Sequence, residues 1–382
     1  MNIEKQLYAL AKTSGINYDL GHIVEALSLL ENPHQGLRYI HIAGTNGKGT
    51  TADFIAQSLE ASGKNVGLYS SPHLFSYTER FQVNGNQITL EQINSYLKII
   101  KAKIKQIPLT EFEILTLIAF LFFKDANPDF VVMETGLGGR LDATNVVDPI
   151  LTVITTIDFD HQAILGNTLE QIATEKLGIM KPTVPMVTFE HEPKISKLFQ
   201  EKANQLKCPL FFVKQINENY LLNNNLLADK AISLLGYSRQ PTEKTRLTGR
   251  MQVLSQAPFK LADSAHNQEG IRKLVHYIKT HNLETDVIFS VSQKPKEDIL
   301  AMAQALSAVA ETLYITEFDF YKAMPLSEII KITKDIKNLK VLPKNQTDKF
   351  IRTTKNNLII TGSIYFLGSV LTHLLAPSQE GE

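Results

Sequence analysis

The chain has 382 residues, in which 39 basic side chains balance 39 acidic ones. Balanced charge supplies no net field to draw it onto nucleic acid or a membrane surface. A single cysteine, Cys208, excludes an internal disulfide framework and fits a reducing, cytoplasmic setting.

The length is generous for one core, so two domains are expected. A hydrophobic content of 43% suits ordinary globular folding. Met-Asn-Ile-Glu-Lys-Gln at the start shows no basic region leading into an apolar core, so no secretory signal is expected. The longest apolar run, Ile114 to Phe123 with Thr116 inside it, is far short of the ~20 residues that span a bilayer.

Strand-like runs alternate with helical ones. The expected strands are Tyr39–Ala43, Val66–Ser70, Phe130–Glu134, Leu151–Ile157, Met186–Phe189 and Leu210–Val213, with Cys208 leading into the last as a buried strand. Helical patterns cover Thr50–Ser62, Leu90–Lys105, Glu111–Lys124, Leu169–Met180, Ile195–Leu206 and Leu221–Leu235. The polar, proline-bearing stretch from Gly236 to Gly249 then breaks the rhythm and reads as a domain boundary. A second alternation follows: Phe259–Ser264, helix Glu269–His281, Val287–Val291, helix Glu297–Val309, Leu313–Phe318, Leu358–Gly362 and a helix to Leu375. The expected fold is α/β: an N-terminal P-loop-type domain, 1–243, with a mostly parallel sheet flanked by helices, and a smaller C-terminal α/β domain, 244–376. Residues 377–382 are expected to be a disordered tail.

The most telling stretch is Tyr39-Ile-His-Ile-Ala-Gly-Thr-Asn-Gly-Lys-Gly-Thr-Thr51. A strand enters a turn of small residues, Gly44 to Gly49, and leaves as a helix, which offers backbone N–H groups and a helix N-terminus to phosphate. Lys48 supplies a cation, and Thr50 or Thr51 a hydroxyl for Mg²⁺. The common pattern G-x-x-x-x-G-K-[ST] fails twice, because Ile42 stands at its first glycine and Gly49 follows the lysine. The competing reading is a chance glycine-rich turn.

Ligands of open parallel sheets gather at the carboxyl ends of strands. Three such ends carry Ser70-Ser71-Pro72-His73, Glu134 before Thr-Gly-Leu-Gly-Gly-Arg-Leu-Asp-Ala-Thr-Asn145, and Asp158-Phe-Asp160-His161. Singly, each has a bland reading: a turn, a solvated acid, an exposed histidine. Together they suggest a metal–nucleotide centre. By periodicity alone, Lys176 is an exposed lysine near Glu175. Asp263-Ser-Ala-His-Asn267 can face a cleft or cap a helix through Ser264 or Asn267. Arg250 follows Gly249 at the junction as a phosphate clamp or a surface residue, and Thr361-Gly-Ser363 closes the last strand.

Gly44-Thr-Asn-Gly-Lys-Gly-Thr50 resembles the phosphate loop of the Mur ligase superfamily in the spelling of folylpolyglutamate and dihydrofolate synthases. The likeness continues through Ser71-Pro-His-Leu, Tyr77-Thr-Glu-Arg80, Asn84-Gly85, Glu134–Asn145, Asp160-His161, Ile172–Ile179, Gly249-Arg250, Asp263–Asn267 and Thr361-Gly-Ser363.

The resemblance implies an ATP-dependent ligase joining L-glutamate to folate or dihydropteroate through an acyl phosphate. It implies ATP contacts from Gly44, Thr45, Asn46, Gly47, Lys48, Gly49 and Thr50, with Asn225 near adenine and Arg250 and Asp263 joining from the second domain on closure. Magnesium would be held by Ser71, Glu134 and His161. Lys176 would be carbamylated, which reverses the surface-lysine reading, and would be catalytic together with Lys48 and His266. His266 and Ser363 would lie near glutamate. Thr110, Glu111, Phe112, Glu113, Leu141, Asp142, Ala143 and Arg80 would line the pterin site. The expected state is a monomer. Departures are Ser264 in place of the family glycine, the missing Asn-Ala pair in Asn223–Leu227, and the unmatched region Val341–Arg352. The alternatives are a Mur-type ligase with another acceptor, or a P-loop nucleotide switch that ligates nothing.

Overall fold

The structure is a computed structural model that describes residues 3–11, 19–216, 219–238 and 245–375. The chain divides into two compact units, Met1–Arg246 and Leu247–Glu382. The expected boundary residues 243 and 244 and the expected tail 377–382 lie outside the described residues.

The first unit is built on eight strands: β1 (Tyr39–Ala43), β2 (Val66–Tyr69), β3 (Phe81–Val83), β4 (Asn86–Gln87), β5 (Phe130–Glu134), β6 (Pro149–Ile154), β7 (Met186–Phe189) and β8 (Leu210–Val213). Their order is β4-β3-β2-β5-β1-β6-β7-β8. Pairing is parallel from β2 to β8, and β3 and β4 add antiparallel at one edge. Among the described residues, nine α-helices accompany it: α1 (Ile3–Leu10), α2 (Gly21–Leu29), α3 (Lys48–Ala61), α4 (Leu90–Lys103), α5 (Glu111–Ala126), α6 (Gln162–Leu165), α7 (Leu169–Leu177), α8 (Pro193–Leu206) and α9 (Tyr220–Leu234).

Strand alternation sorts the sheet's side chains onto two faces. Tyr39, Val131 and Met133 join Phe120, Phe123 and Ile93 under α4 and α5. Ile40, Ile42, Phe130 and Val132 face the opposite way and pack with Phe54 and Ile55 of α3 and Leu227 and Ile232 of α9.

The second unit holds β9 (Gln252–Gln256), β10 (Phe259–Ala262), β11 (Asp286–Phe289), β12 (Leu313–Ile315), β13 (Leu339–Val341) and β14 (Leu358–Thr361), in the order β13-β12-β11-β14-β10-β9. Only β9 runs antiparallel among these described strands. Its helices are α10 (Gln268–Thr280), α11 (Lys296–Ser307), α12 (Leu326–Thr333), α13 (Lys344–Thr353) and α14 (Ile364–Leu375). The unmatched region Val341–Arg352 is the end of β13 and most of α13.

Several boundaries differ from the pattern reading. β6 stops at Ile154, three residues short of Ile157, because Thr155 and Thr156 turn to the phosphate loop: Thr155 Oγ1 donates to Asn46 O at 2.7 Å, and Asn46 N donates to Thr156 Oγ1 at 3.1 Å. Helix α7 ends at Leu177, where Gly178 abuts Arg140 so closely that a Cβ would lie 2.3 Å from the Arg140 Cα. The strand after Cys208 is not buried as expected. β8 is an edge strand of half-exposed residues, and only Cys208 itself, in the turn before it, is buried. Among the described residues no helix is long and apolar enough to cross a membrane.

Candidate active site

The phosphate loop leaves β1 through Gly44, whose φ of +149° and closeness to Thr155 leave no room for a side chain. Gly47, at φ +86°, caps α3, so Lys48 opens the helix. The first-turn N–H groups of Lys48, Gly49 and Thr50 have no intrahelical acceptor by helix geometry and form an anion-binding end. Thr45 N and Asn46 N are differently engaged, donating to Thr156 O and Oγ1. Thr50 and Thr51 are both buried.

Glu134 ends β5 in register with Ile42 of β1, just before the loop. It is 3% exposed, and its Oε2 accepts from Ser71 N at 3.0 Å. The strand ends thus bring Ser71 and Glu134 together. His161 stands apart in character: it lies on the loop beyond β6 in the left-handed conformation, with 54% of its side chain exposed. Among the described residues no three His, Cys, Asp or Glu side chains form a metal cluster. One buried carboxylate with a hydroxyl beside an anion-binding loop fits a hard cation that completes its shell with phosphate oxygens and water.

Lys176 overturns the surface reading drawn from periodicity. It is 3% exposed, and its Nζ donates to Gly44 O at 3.0 Å. Lys48 Nζ donates to the same oxygen at 3.0 Å and to Thr45 O at 3.2 Å. Burial, reinforced by the Lys48 charge, pushes the Lys176 amine down to about 7, against the pull of Asp160, Asp158 and Asp142.

The residues expected at the acceptor side form a connected patch. Thr110 and Glu113 spend their polar atoms on a reciprocal capping box that starts α5, Glu113 Oε2 accepting from Thr110 N at 2.7 Å. Phe112 lies against Gly136, where a Cβ would come within 2.5 Å of its ring. Glu111 accepts from Tyr77 OH at 2.8 Å. Arg80, 8% exposed, donates from Nε to His73 Nδ1 at 2.9 Å. Burial and then the Arg80 charge push His73 down to about 3. Leu141, Asp142 and Ala143 follow, with Asp142 buried.

Of the three asparagines of α9, Asn224 lies over the loop. A Cβ on Gly47 would sit 2.6 Å from its Oδ1, and its buried Nδ2 has no protein acceptor among the described residues. Asn225, expected near adenine, is buried beside it. Nothing in the Asn-Asn-Asn triplet distinguished Asn224, since contact with Gly47 depends on how α9 lies across α3.

In the second unit, Asp263 caps its own turn: Oδ2 accepts from Met251 N and Oδ1 from Ala265 N, both at 2.9 Å. Ser264 is buried with its hydroxyl unpartnered among the described residues, and it is Asn267 that caps α10. His266 Nδ1 meets Ser264 O at 2.9 Å. Ser363 Oγ lies 3.0 Å from Ser292 Oγ, and Lys294 Nζ donates to His266 O. Ser292 and Lys294, absent from the sequence reading, follow a strand in a polar run that carries no periodic signal. Arg250 is half-buried in the turn before β9.

Residues 42–254 match the Mur ligase middle domain family. The dihydrofolate synthase/folylpolyglutamate synthase of Bacillus subtilis is 32% identical, over 94% of this chain and 96% of its own. The chain belongs to this family. It is an ATP-dependent ligase of folate metabolism that forms C–N bonds. Among solved structures, Escherichia coli FolC in complex with DHPP and ADP superposes with a TM-score of 0.89 at 26% identity, covering 98% of both chains. The bifunctional Yersinia pestis enzyme complexed with AMPPNP and Mn ion gives 0.85 at 27% identity, over 98% of this chain and 97% of its own.

Proposed function

We propose that this ligase joins L-glutamate to dihydropteroate, to a folyl-glutamate, or to both, through an acyl phosphate. The observation that carries the reading is Lys48, a cation on Gly44 O beside the anion-binding end of α3, with Lys176 buried against the same oxygen. An acceptor carboxylate and a triphosphate repel each other, so bringing them together requires fixed positive charge more than covalent help. A carboxylate oxygen of the acceptor attacks the γ-phosphorus, and ADP departs. The glutamate amine then attacks the acyl carbon, phosphate departs and an amide bond remains.

Within this scheme Gly44 to Thr50 hold the phosphates, with Lys48 as their cation. Glu134, Ser71 and His161 would hold Mg²⁺, which neutralises phosphate charge when bound. Arg250, Asp263 and an asparagine of α9, Asn225 or Asn224, supply further nucleotide contacts. Thr110–Glu113, Leu141–Ala143 and Arg80 serve the pterin, and His266 and Ser363 serve glutamate. Lys176 reacts with CO₂ to give a carbamate and a proton, which turns its cation into a carboxylate-like ligand. Its support is burial beside Lys48, which leaves much of the amine uncharged and nucleophilic near neutral pH.

A phosphate-release assay tests the reading. Release should require ATP, a pteroyl acceptor and glutamate together, and comparing dihydropteroate with tetrahydrofolate separates the two activities. Hydrolysis independent of acceptor and glutamate would leave a nucleotide switch. Turnover with a non-pterin acceptor alone would leave a different Mur-type ligase.

A further inference from the structure

β1 carries a polar residue where its neighbours are apolar. His41 is fully buried, and its Nε2 lies 2.8 Å from Thr144 Oγ1. Thr144 Oγ1 in turn donates to Asp142 Oδ1 at 2.6 Å, and Thr144 N donates to the same oxygen at 3.0 Å. Asp142 Oδ2 accepts from Leu137 N at 2.8 Å, and Gly136 N also donates to this carboxylate.

The proton order along this chain follows from valence. Burial pushes the Asp142 carboxyl up while its four donors pull it back, and with Oδ1 accepting from Thr144 Oγ1 the single hydroxyl proton of Thr144 is spent on Asp142. Thr144 Oγ1 must then accept, and His41 Nε2 must carry the proton. His41 Nδ1 is buried with no partner among the described residues, so a second proton there would meet no acceptor. Burial and the Lys181 charge push this imidazole down to about 3, in keeping with a ring held neutral.

Asp142 ties the start of the glycine-rich loop, Gly136 and Leu137, to its end at Thr144. That loop is wedged on both sides. Gly136 abuts the Phe112 ring, and a Cβ on Gly139 would lie 2.8 Å from Lys176 O. The loop's shape therefore bears at once on the aromatic of the acceptor patch and on the helix that carries Lys176.

We propose that His41 is a positioning residue for the acceptor site, setting the Thr144 hydroxyl so that Asp142 holds the Gly136–Ala143 loop in its binding shape. The inference rests on the ligase reading above and adds to it a residue on the central strand, behind the loop. Loss of the Nε2 donor frees Thr144 to turn, and the loop loses one of the donors that orient its organising carboxylate.

The test compares His41→Leu, His41→Gln, Thr144→Val and Thr144→Ser in steady-state ligation, varying the pteroyl acceptor and ATP separately. A glutamine places an amide N–H near the Nε2 position, and a serine keeps the hydroxyl. The Leu and Val variants are expected to raise KM for the acceptor about tenfold or more, with KM for ATP within about twofold of the parent. The Gln and Ser variants should recover most of that loss. Thermal unfolding of each variant guards against a folding defect. Should Leu and Gln alter both KM values alike, or change only thermal stability, the positioning role is overturned. Failure of the parent itself to ligate a pteroyl acceptor would instead overturn the functional reading.

Discussion

Lys48 and Lys176 point their Nζ atoms at one acceptor, the carbonyl oxygen of Gly44, each from 3.0 Å. Lys48 reaches it from four residues away and Lys176 from 132 residues further along. Lys176 is the more buried of the two, and burial first, then the neighbouring Lys48 charge, pushes its amine down.

That asymmetry predicts different chemistry at the two lysines. Lys176→Ala should lose most ligation and recover part of it with added formate or acetate, because a small carboxylate can occupy the space of a carbamate. The parent enzyme, equilibrated with bicarbonate, should gain the mass of one CO₂ at Lys176. No rescue and no mass gain, with metal affinity unchanged, would return Lys176 to a purely structural role.

Lys48→Ala and Glu134→Ala should each lower kcat at least ~100-fold, the usual cost of removing a principal transition-state charge contact. Lys48→Ala acts on the nucleotide directly. Glu134→Ala should also weaken the dependence on divalent cation concentration, which a titration of rate against Mg²⁺ measures. Near-parental turnover in either variant would refute the assignment.

Much of this arrangement is legible in the sequence alone. The strand–turn–helix at Tyr39–Thr51 announced itself because glycine placement and a strand-to-helix change of period are local properties. Glu134 was legible for the same reason. Lys176 was legible only through the family resemblance, since periodicity describes one helix, whereas its burial depends on the Gly44 loop passing over α7. The short antiparallel strands β3, β4 and β9 also escaped, because two to five residues are too few to carry an alternation strong enough to read. Thr110 and Glu113 were expected as ligand contacts, and they also form an N-terminal cap, which the Thr-x-x-Glu spacing spells equally well.

Gly47 offers a steric test of the phosphate loop. Gly47→Ala must place a Cβ in the left-handed region, a strain of about 1–2 kcal/mol, and 2.6 Å from Asn224 Oδ1. Nucleotide affinity, measured by titration calorimetry with a non-hydrolysable ATP analogue, should fall about tenfold or more. Adding Asn224→Ala removes the collision but not the backbone strain, so the double variant should recover only part of the loss. Asn224→Ala alone should weaken the analogue modestly if its Nδ2 finds its acceptor on the nucleotide. Unchanged affinity in Gly47→Ala would argue that the loop does not hold phosphate.

The buried histidine of β1 makes a prediction about acid stability. His41 is pushed down to about 3 in the folded chain, against about 6.5 when unfolded. Between those values the unfolded chain binds the extra proton, so stability rises with pH through the window and falls as acid is added. Above about 6.5 the folded and unfolded rings are both neutral and the contribution is constant. One such histidine makes the fold weaker by about 2 kcal/mol at pH 5 than at pH 7. His73 and His191, held near 3 and 4 by burial first, act in the same direction. Urea midpoints of the parent should therefore drop from pH 7 to pH 5, and the unfolding free energy of His41→Gln, which cannot titrate at that position, should fall less than the parent's by about that amount. Because the chain has two units, the comparison belongs to the transition that reports the first one, followed for example by protease sensitivity within Met1–Arg246. An equal pH slope in the parent and in His41→Gln would mean that His41 already binds a proton in the folded chain, and the proton order from His41 through Thr144 to Asp142 would then be wrong.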